Sequence, residues 1–155
     1  MDWRGFGLFV FGFLACAGLF FVFEFFSITG FVVSDYSLSA PIDHIVEEDI
    51  VLLDEGVLIR IGGATISDYE DTGSMVPVLD EGSNGIRVAP ENESEVEVGD
   101  IVSYRDGDRL VVHRVVLKGE DSEGVLFETK GDSNLVSDRR IRFEDIEYVT
   151  IGVIY

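Results

Sequence analysis

The chain has 155 residues and a formal charge of −19 at pH 7, with 30 Asp and Glu against 11 Lys and Arg. That length holds one domain, and the acidity argues against a nucleic-acid or anionic-lipid partner, since both need basic surface. A single cysteine excludes an intrachain disulfide and any cysteine-based metal site.

From Phe6 to Phe23 the chain carries neither charge nor proline, and Phe25 and Phe26 continue the apolar run beyond Glu24. As a helix this run spans roughly 27 Å, close to the hydrocarbon thickness of a bilayer. A cleaved signal peptide would have a shorter apolar core with small residues close behind it. Here Ser37-Leu38-Ser39-Ala40 comes well after the run ends. The expectation is an uncleaved anchor in residues 1–33, with a span of about 6–26 in contact with the lipid bilayer. Arg4 precedes the span and the next basic residue is Arg60, which predicts a single-pass protein with a cytoplasmic N-terminus. Residues 34–49 read as a polar juxtamembrane linker, His44 being one of its polar residues, and residues 50–155 as an extracytoplasmic domain.

The part outside the membrane is very acidic. Asp2, Glu24 and Arg4 precede residue 34, leaving 28 acidic and 10 basic residues and a charge of −18. Only Lys118 and Lys130 are lysines, against nine arginines. This composition fits a surface adapted to high salt, where self-repulsion is screened, and equally an ordinary soluble, charged surface.

Beyond the linker the apolar pattern has the period of strands. Ile50–Leu53 and Val57–Ile61 flank Asp54-Glu55-Gly56, a hairpin signal. Ile101–Arg105 and Arg109–Leu117 flank Asp106-Gly107-Asp108. Val125–Lys130 gives another strand, and Tyr148–Tyr155, free of charge, a closing one. Residues 91–100 read as a solvated acidic loop, in which Asn92-Glu93-Ser94 fits a glycosylation sequon. The predicted fold is all-β, a partly open barrel or sandwich of hairpins behind one membrane helix.

Three short segments carry residues capable of chemistry. Ser74, in Asp71-Thr72-Gly73-Ser74-Met75-Val76-Pro77, occupies a turn-like context, and its small neighbour would also let a peptide backbone approach the hydroxyl. A nucleophilic serine needs a base. Of the two histidines, His113 lies within an apolar strand, sharing a face with Val111 and Val115. A strand histidine is commonly a packed residue bonded to a carbonyl. Thr129-Lys130-Gly131-Asp132-Ser133-Asn134, followed by Asp138, reads by itself as a turn after a strand. No cofactor is expected, and His113, Asp132 and Asp138 lack the second histidine or cysteine that a metal site calls for.

Taken in order, Ser74-Met75-x-Pro77, Gly99-Asp100-Ile101-Val102, His113-Arg114-Val115 and Thr129-Lys130-Gly131-Asp132-x-Asn134 with Asp138 resemble the conserved blocks of type I signal peptidases. Histidine at position 113, where bacterial members carry lysine, resembles the archaeal and endoplasmic-reticulum branch. The resemblance implies a membrane-bound serine endopeptidase that removes signal peptides from exported precursor proteins through an acyl-enzyme. In that scheme Ser74 attacks and His113 accepts its proton. Asp138, with Asp132 as the alternative, orients the imidazole, while the Ser74 N–H and the Thr72 hydroxyl bind the oxyanion. Its partners would be those precursors, and secretion-machinery partners stay open at this point.

The chain also departs from the family. The interval from Pro77 to Gly99 is long, Val78 stands where a hydroxyl side chain is common, and the strand pair at 50–61 is elaborate. A specialised processing peptidase of the same superfamily fits these departures as well as a housekeeping enzyme does. Self-cleaving repressor proteases share a Ser-Met block but use a lysine base and no membrane span. The alternative outside enzymes is a catalytically silent, membrane-anchored β-domain that binds an exported partner.

Overall fold

A computed structural model describes residues 38–155, and these are all-β. The apolar span expected at 6–26, and with it the anchor and its orientation, lies outside the described residues. Among the described residues no helix is long and apolar enough to cross a membrane.

Two sheets form. β1 (Ile50–Leu53) and β2 (Gly56–Ile59) make an antiparallel hairpin that pairs with nothing else. β3 (Thr65–Asp68), β4 (Asn84–Val88), β5 (Ile101–Asp106), β6 (Arg109–Asp121), β7 (Gly124–Lys130), β8 (Arg140–Ile141) and β9 (Ile146–Ile154) form one seven-stranded sheet in the order β3-β4-β9-β5-β6-β7-β8. Every pairing in it is antiparallel, and the edge strands β3 and β8 do not pair with each other.

The strand period divides the apolar residues between two clusters. Val102 and Tyr104 of β5 join Val115, Phe127, Ile141 and Val149 in the larger one. Ile101, the alternate residue of β5, packs with Met75 and Leu79 in the smaller. His113 pairs across the sheet with Val102 and Arg114 with Ile101, so the two neighbours on β6 point to opposite faces.

Four features differ from the sequence reading. β6 runs on to Asp121, and the turn to β7 is only Ser122-Glu123. The polar residues 118–121 continue the strand because alternation supplies them with partners, as where Lys118 Nζ donates to Glu97 at 2.7 Å. Arg142 closes the turn by donating to both carboxylate oxygens of Asp121. β3 and β4 form where no strand was read, their short polar-apolar alternations being stabilised by pairing with each other and with β9. The segment 91–100 is not simply a solvated loop, since Val96 and Asp100 are fully buried. Its exposed part is a 3₁₀ turn at Glu93–Glu95, where Asn92 Oδ1 accepts from the Ser94 N–H at 3.1 Å.

The fourth difference concerns the linker. Residues 38–44 lie against the domain, with the Ala40 carbonyl directly over Gly99. A Cβ at Gly99 would stand 2.0 Å from that oxygen, and Gly99 has φ +108°. Only glycine meets both conditions.

Candidate active site

His113 sits where β6 outruns its partner. β7 ends at Lys130, opposite Arg114, which leaves the edge of β6 at His113 open to the chain that follows β7. With a turn spanning the whole polar stretch 118–124, Thr129 would stand opposite His113, but Thr129 pairs with Val115. The Ser122-Glu123 turn is tighter than that and moves the register by three residues, and a bulge that adds one residue to β6 between Val115 and Leu117 takes one of them back.

The segment after β7 folds back and is clipped at Thr129. The Asp138 N–H donates to the Thr129 carbonyl at 2.7 Å, and the Thr129 hydroxyl donates to Asp138 Oδ2 at 2.8 Å. The same Oδ2 accepts from His113 Nδ1 at 2.6 Å. Thr129 is completely buried and His113 nearly so, which shields the pair from water and strengthens the charge-assisted bond. With the Nδ1 hydrogen given to a carboxylate, Nε2 is left as the acceptor nitrogen.

Asp132 is engaged elsewhere. Its two oxygens accept from Arg114 Nε and Nη2, both at 2.8 Å, in a fork. The side chains are 6% and 1% exposed, so this is a buried ion pair. Arg114 Nη1 donates to the Gly99 carbonyl at 2.7 Å.

Ser74 is half-buried on the loop between β3 and β4, beside the buried Met75. The loop is bound to the chain leaving β7. The Ser133 N–H donates to the Ser74 carbonyl at 3.0 Å, and the Ser133 hydroxyl donates to the Val76 carbonyl at 2.8 Å. Gly131 permits this approach, since a Cβ there would lie 2.7 Å from the Ser74 carbonyl oxygen. Ser74 Oγ is hydrogen-bonded to Thr72 Oγ1 at 3.1 Å, and the Ser74 N–H points to the same Thr72 oxygen at 3.4 Å. No hydrogen bond joins Ser74 to His113 in this state. Hydrogen bonds between catalytic groups are often long before substrate binds.

Sequence reasoning gave no role to Tyr104, Arg114, Ser133 or His44. Tyr104 is buried beside Thr129 and Asp138, and burial pushes its phenol up to about 12, partly opposed by a hydrogen bond with Thr129. The one signal for Arg114 and Ser133 was their position inside the quoted blocks. Among the described residues, no group of three or more His, Cys, Asp or Glu side chains is arranged to hold a metal ion.

A hydroxyl, an imidazole with a free Nε2 and a carboxylate on Nδ1 are together the equipment for acyl transfer by a serine nucleophile. Part of the chain is similar in sequence to known signal peptidases. The chain is 36% identical over 80 residues to the signal peptidase complex catalytic subunit SEC11 of Candida albicans, a match covering 50% of this chain and 47% of that protein. The SEC11 subunit of Candida tropicalis matches to the same extent. Signal peptidase I W of Bacillus subtilis is 32% identical over 68 residues, covering 43% of this chain and 36% of the relative. Over this part of its length the chain is thus similar to signal peptidases of both the eukaryotic and the bacterial kind. The matches span about half the length of the curated relatives or less. No family model matches, and no solved structure does.

Proposed function

We propose that this protein is a membrane-anchored serine endopeptidase that cleaves signal peptides from exported precursors, with Ser74 as nucleophile and His113 as base. Asp138 holds the imidazole in the tautomer that accepts the serine proton and stabilises the imidazolium that follows. Ser74 forms an ester with the acyl part of the substrate, the proton passes through His113 to the leaving amine, and water activated by the same histidine releases the product. The Ser74 N–H and the Thr72 hydroxyl stabilise the oxyanion once the carbonyl oxygen displaces their mutual contact. Asp132 supports the turn through Arg114. Histidine as the base favours the archaeal and endoplasmic-reticulum branch, and the apolar run at 6–26 supplies the anchor, with the catalytic domain extracytoplasmic.

The observation that carries this reading is the 2.6 Å contact of His113 Nδ1 with Asp138, on a segment that also holds the Ser74 loop. The test is to incubate the membrane-embedded protein with secretory precursors and map the cleaved bonds by mass spectrometry. Cleavage at signal-peptide junctions that disappears in Ser74→Ala is the expected result. Equal processing by the alanine variant would remove Ser74 from the mechanism. No cleavage by the wild type would favour a silent β-domain that binds an exported partner, the reading that the unbonded Ser74–His113 pair keeps open.

A further inference from the structure

Asp100 is completely buried and both oxygens of its carboxylate accept hydrogen bonds. Oδ2 accepts from the Glu97 N–H at 2.8 Å. Oδ1 accepts from the Ile42 N–H at 3.1 Å and from His44 Nε2 at 3.1 Å. Two of these three donors come from the stretch 38–44, more than fifty residues earlier in the chain. The same stretch places the Ala40 carbonyl over Gly99 and the Ser39 carbonyl 3.4 Å from Arg114 Nη1. His44 is itself largely buried, with a side chain 14% exposed. A linker that only joined an anchor to a domain would have no reason to bury an imidazole against a carboxylate.

What this stretch grips is connected directly to the site. The Asp100 carbonyl accepts from the Val115 N–H at 2.8 Å, and the Gly99 N–H donates to the Val115 carbonyl at 2.9 Å. Val115 is two residues from His113 on the same strand face. The Gly99 carbonyl receives Arg114 Nη1, whose other nitrogens hold Asp132. Asp132 precedes Ser133, which is bonded to the Ser74 and Val76 carbonyls. A continuous set of contacts therefore runs from His44 through Asp100, Gly99, Arg114 and Asp132 to the backbone of the Ser74 loop.

We propose that residues 38–44 are a strap that sets the geometry of the active site, and that His44 is its positioning residue. His44 touches neither Ser74 nor His113. Its Nε2–H holds Asp100, and through Gly99 it fixes where the Arg114 fork delivers the segment that carries Ser133 and Asp138. The segment between the expected membrane span and the domain is then a working part of the site. The kinetic consequence rests on the peptidase reading given above, while the structural consequence does not.

The test exploits the presence of only two histidines in the chain. In full-length protein labelled with isotopic histidine, any His44 variant leaves His113 as the sole ring signal. Gln offers an amide N–H of similar reach, so His44→Gln should keep the wild-type His113 resonances. His44→Ala and the shorter His44→Asn should move them. On a cleavable precursor, kcat should fall between about 10- and 100-fold in the Ala and Asn variants at nearly constant KM, with recovery in Gln. If His44→Ala does not fold, His44→Asn carries the comparison. His113 resonances unmoved in a folded Ala or Asn variant would overturn the strap, as would an equal loss of kcat in all three variants. Absence of cleavage by the wild type would defeat the peptidase reading alone, and the His113 signals would still decide the strap.

Discussion

Asp138 Oδ2 lies 2.6 Å from His113 Nδ1, whereas Asp132, six residues earlier, gives both of its oxygens to Arg114 on the neighbouring position of the same strand. Adjacent residues of β6 point to opposite faces, and each has its own aspartate. The two carboxylates should therefore fail in different ways. Asp138→Asn should lower kcat by about 10⁴-fold while the protein stays folded, because an amide cannot hold the required tautomer. Asp132→Asn leaves a buried guanidinium without its counter-charge and should cost about 3–5 kcal/mol of stability. Kinetics and thermal melts on both variants separate the roles, and a near-wild-type rate for Asp138→Asn would reverse them.

The exposed Thr72 hydroxyl reaches both Ser74 Oγ and the Ser74 N–H. As the proposed second oxyanion donor it should matter to the transition state more than to substrate binding. Thr72→Val is expected to reduce kcat by about 10²–10³-fold with little change in KM, and Thr72→Ser to retain most activity. Equal activity of the valine and serine variants would remove Thr72 from that role.

Gly131 has no room for a side chain, because a Cβ would meet the Ser74 carbonyl oxygen and the Asn134 amide at 2.7 Å. Gly131→Ala should push the nucleophile loop away from the end of β7 and lower kcat by about 100-fold. Gly107→Ala offers a control for backbone strain, since Gly107 has φ +61° on a remote turn with open space around it. It should lose some stability and keep its rate. A rate loss of the same size in both variants would show that strain alone accounts for the effect.

Burial raises the Tyr104 phenol from the usual 10 to about 12. The folded state therefore holds this proton more tightly than the unfolded chain does. The resulting stability is fully present below pH 10 and is lost as pH rises through about 12. Tyr104→Phe should show a shallower decline in thermal midpoint across that window. An unchanged alkaline slope would mean that other groups govern it.

With a charge of −18 on residues 34–155, carboxylate repulsion should destabilise the fold at low ionic strength, where the Debye length reaches roughly 30 Å at 0.01 M. The thermal midpoint is expected to rise between low and molar salt. A flat or falling midpoint would leave the acidity as ordinary surface charge.

Much of this protein is written in local pattern. Short apolar, β-branched runs bounded by turn residues or charges marked the paired parts of β1, β2, β5, β6, β7 and β9, because such side chains suit the extended, pleated backbone. Asp54-Glu55-Gly56 and Asp106-Gly107-Asp108 marked their turns, since a turn depends on only a few adjacent residues. The serine, histidine and aspartate blocks could likewise be read in order along the chain. Only the tertiary structure decided which aspartate meets His113. That depends on the Ser122-Glu123 turn, on one extra residue between Val115 and Leu117, and on the clip of Asp138 to Thr129. A single bulged residue changes which side chains face each other, and no local propensity reveals it. The same holds for His44, polar and unremarkable beside its sequence neighbours. Its partner Asp100 is 56 residues away, and only the folding of the 38–44 strap across Gly99 brings the two together.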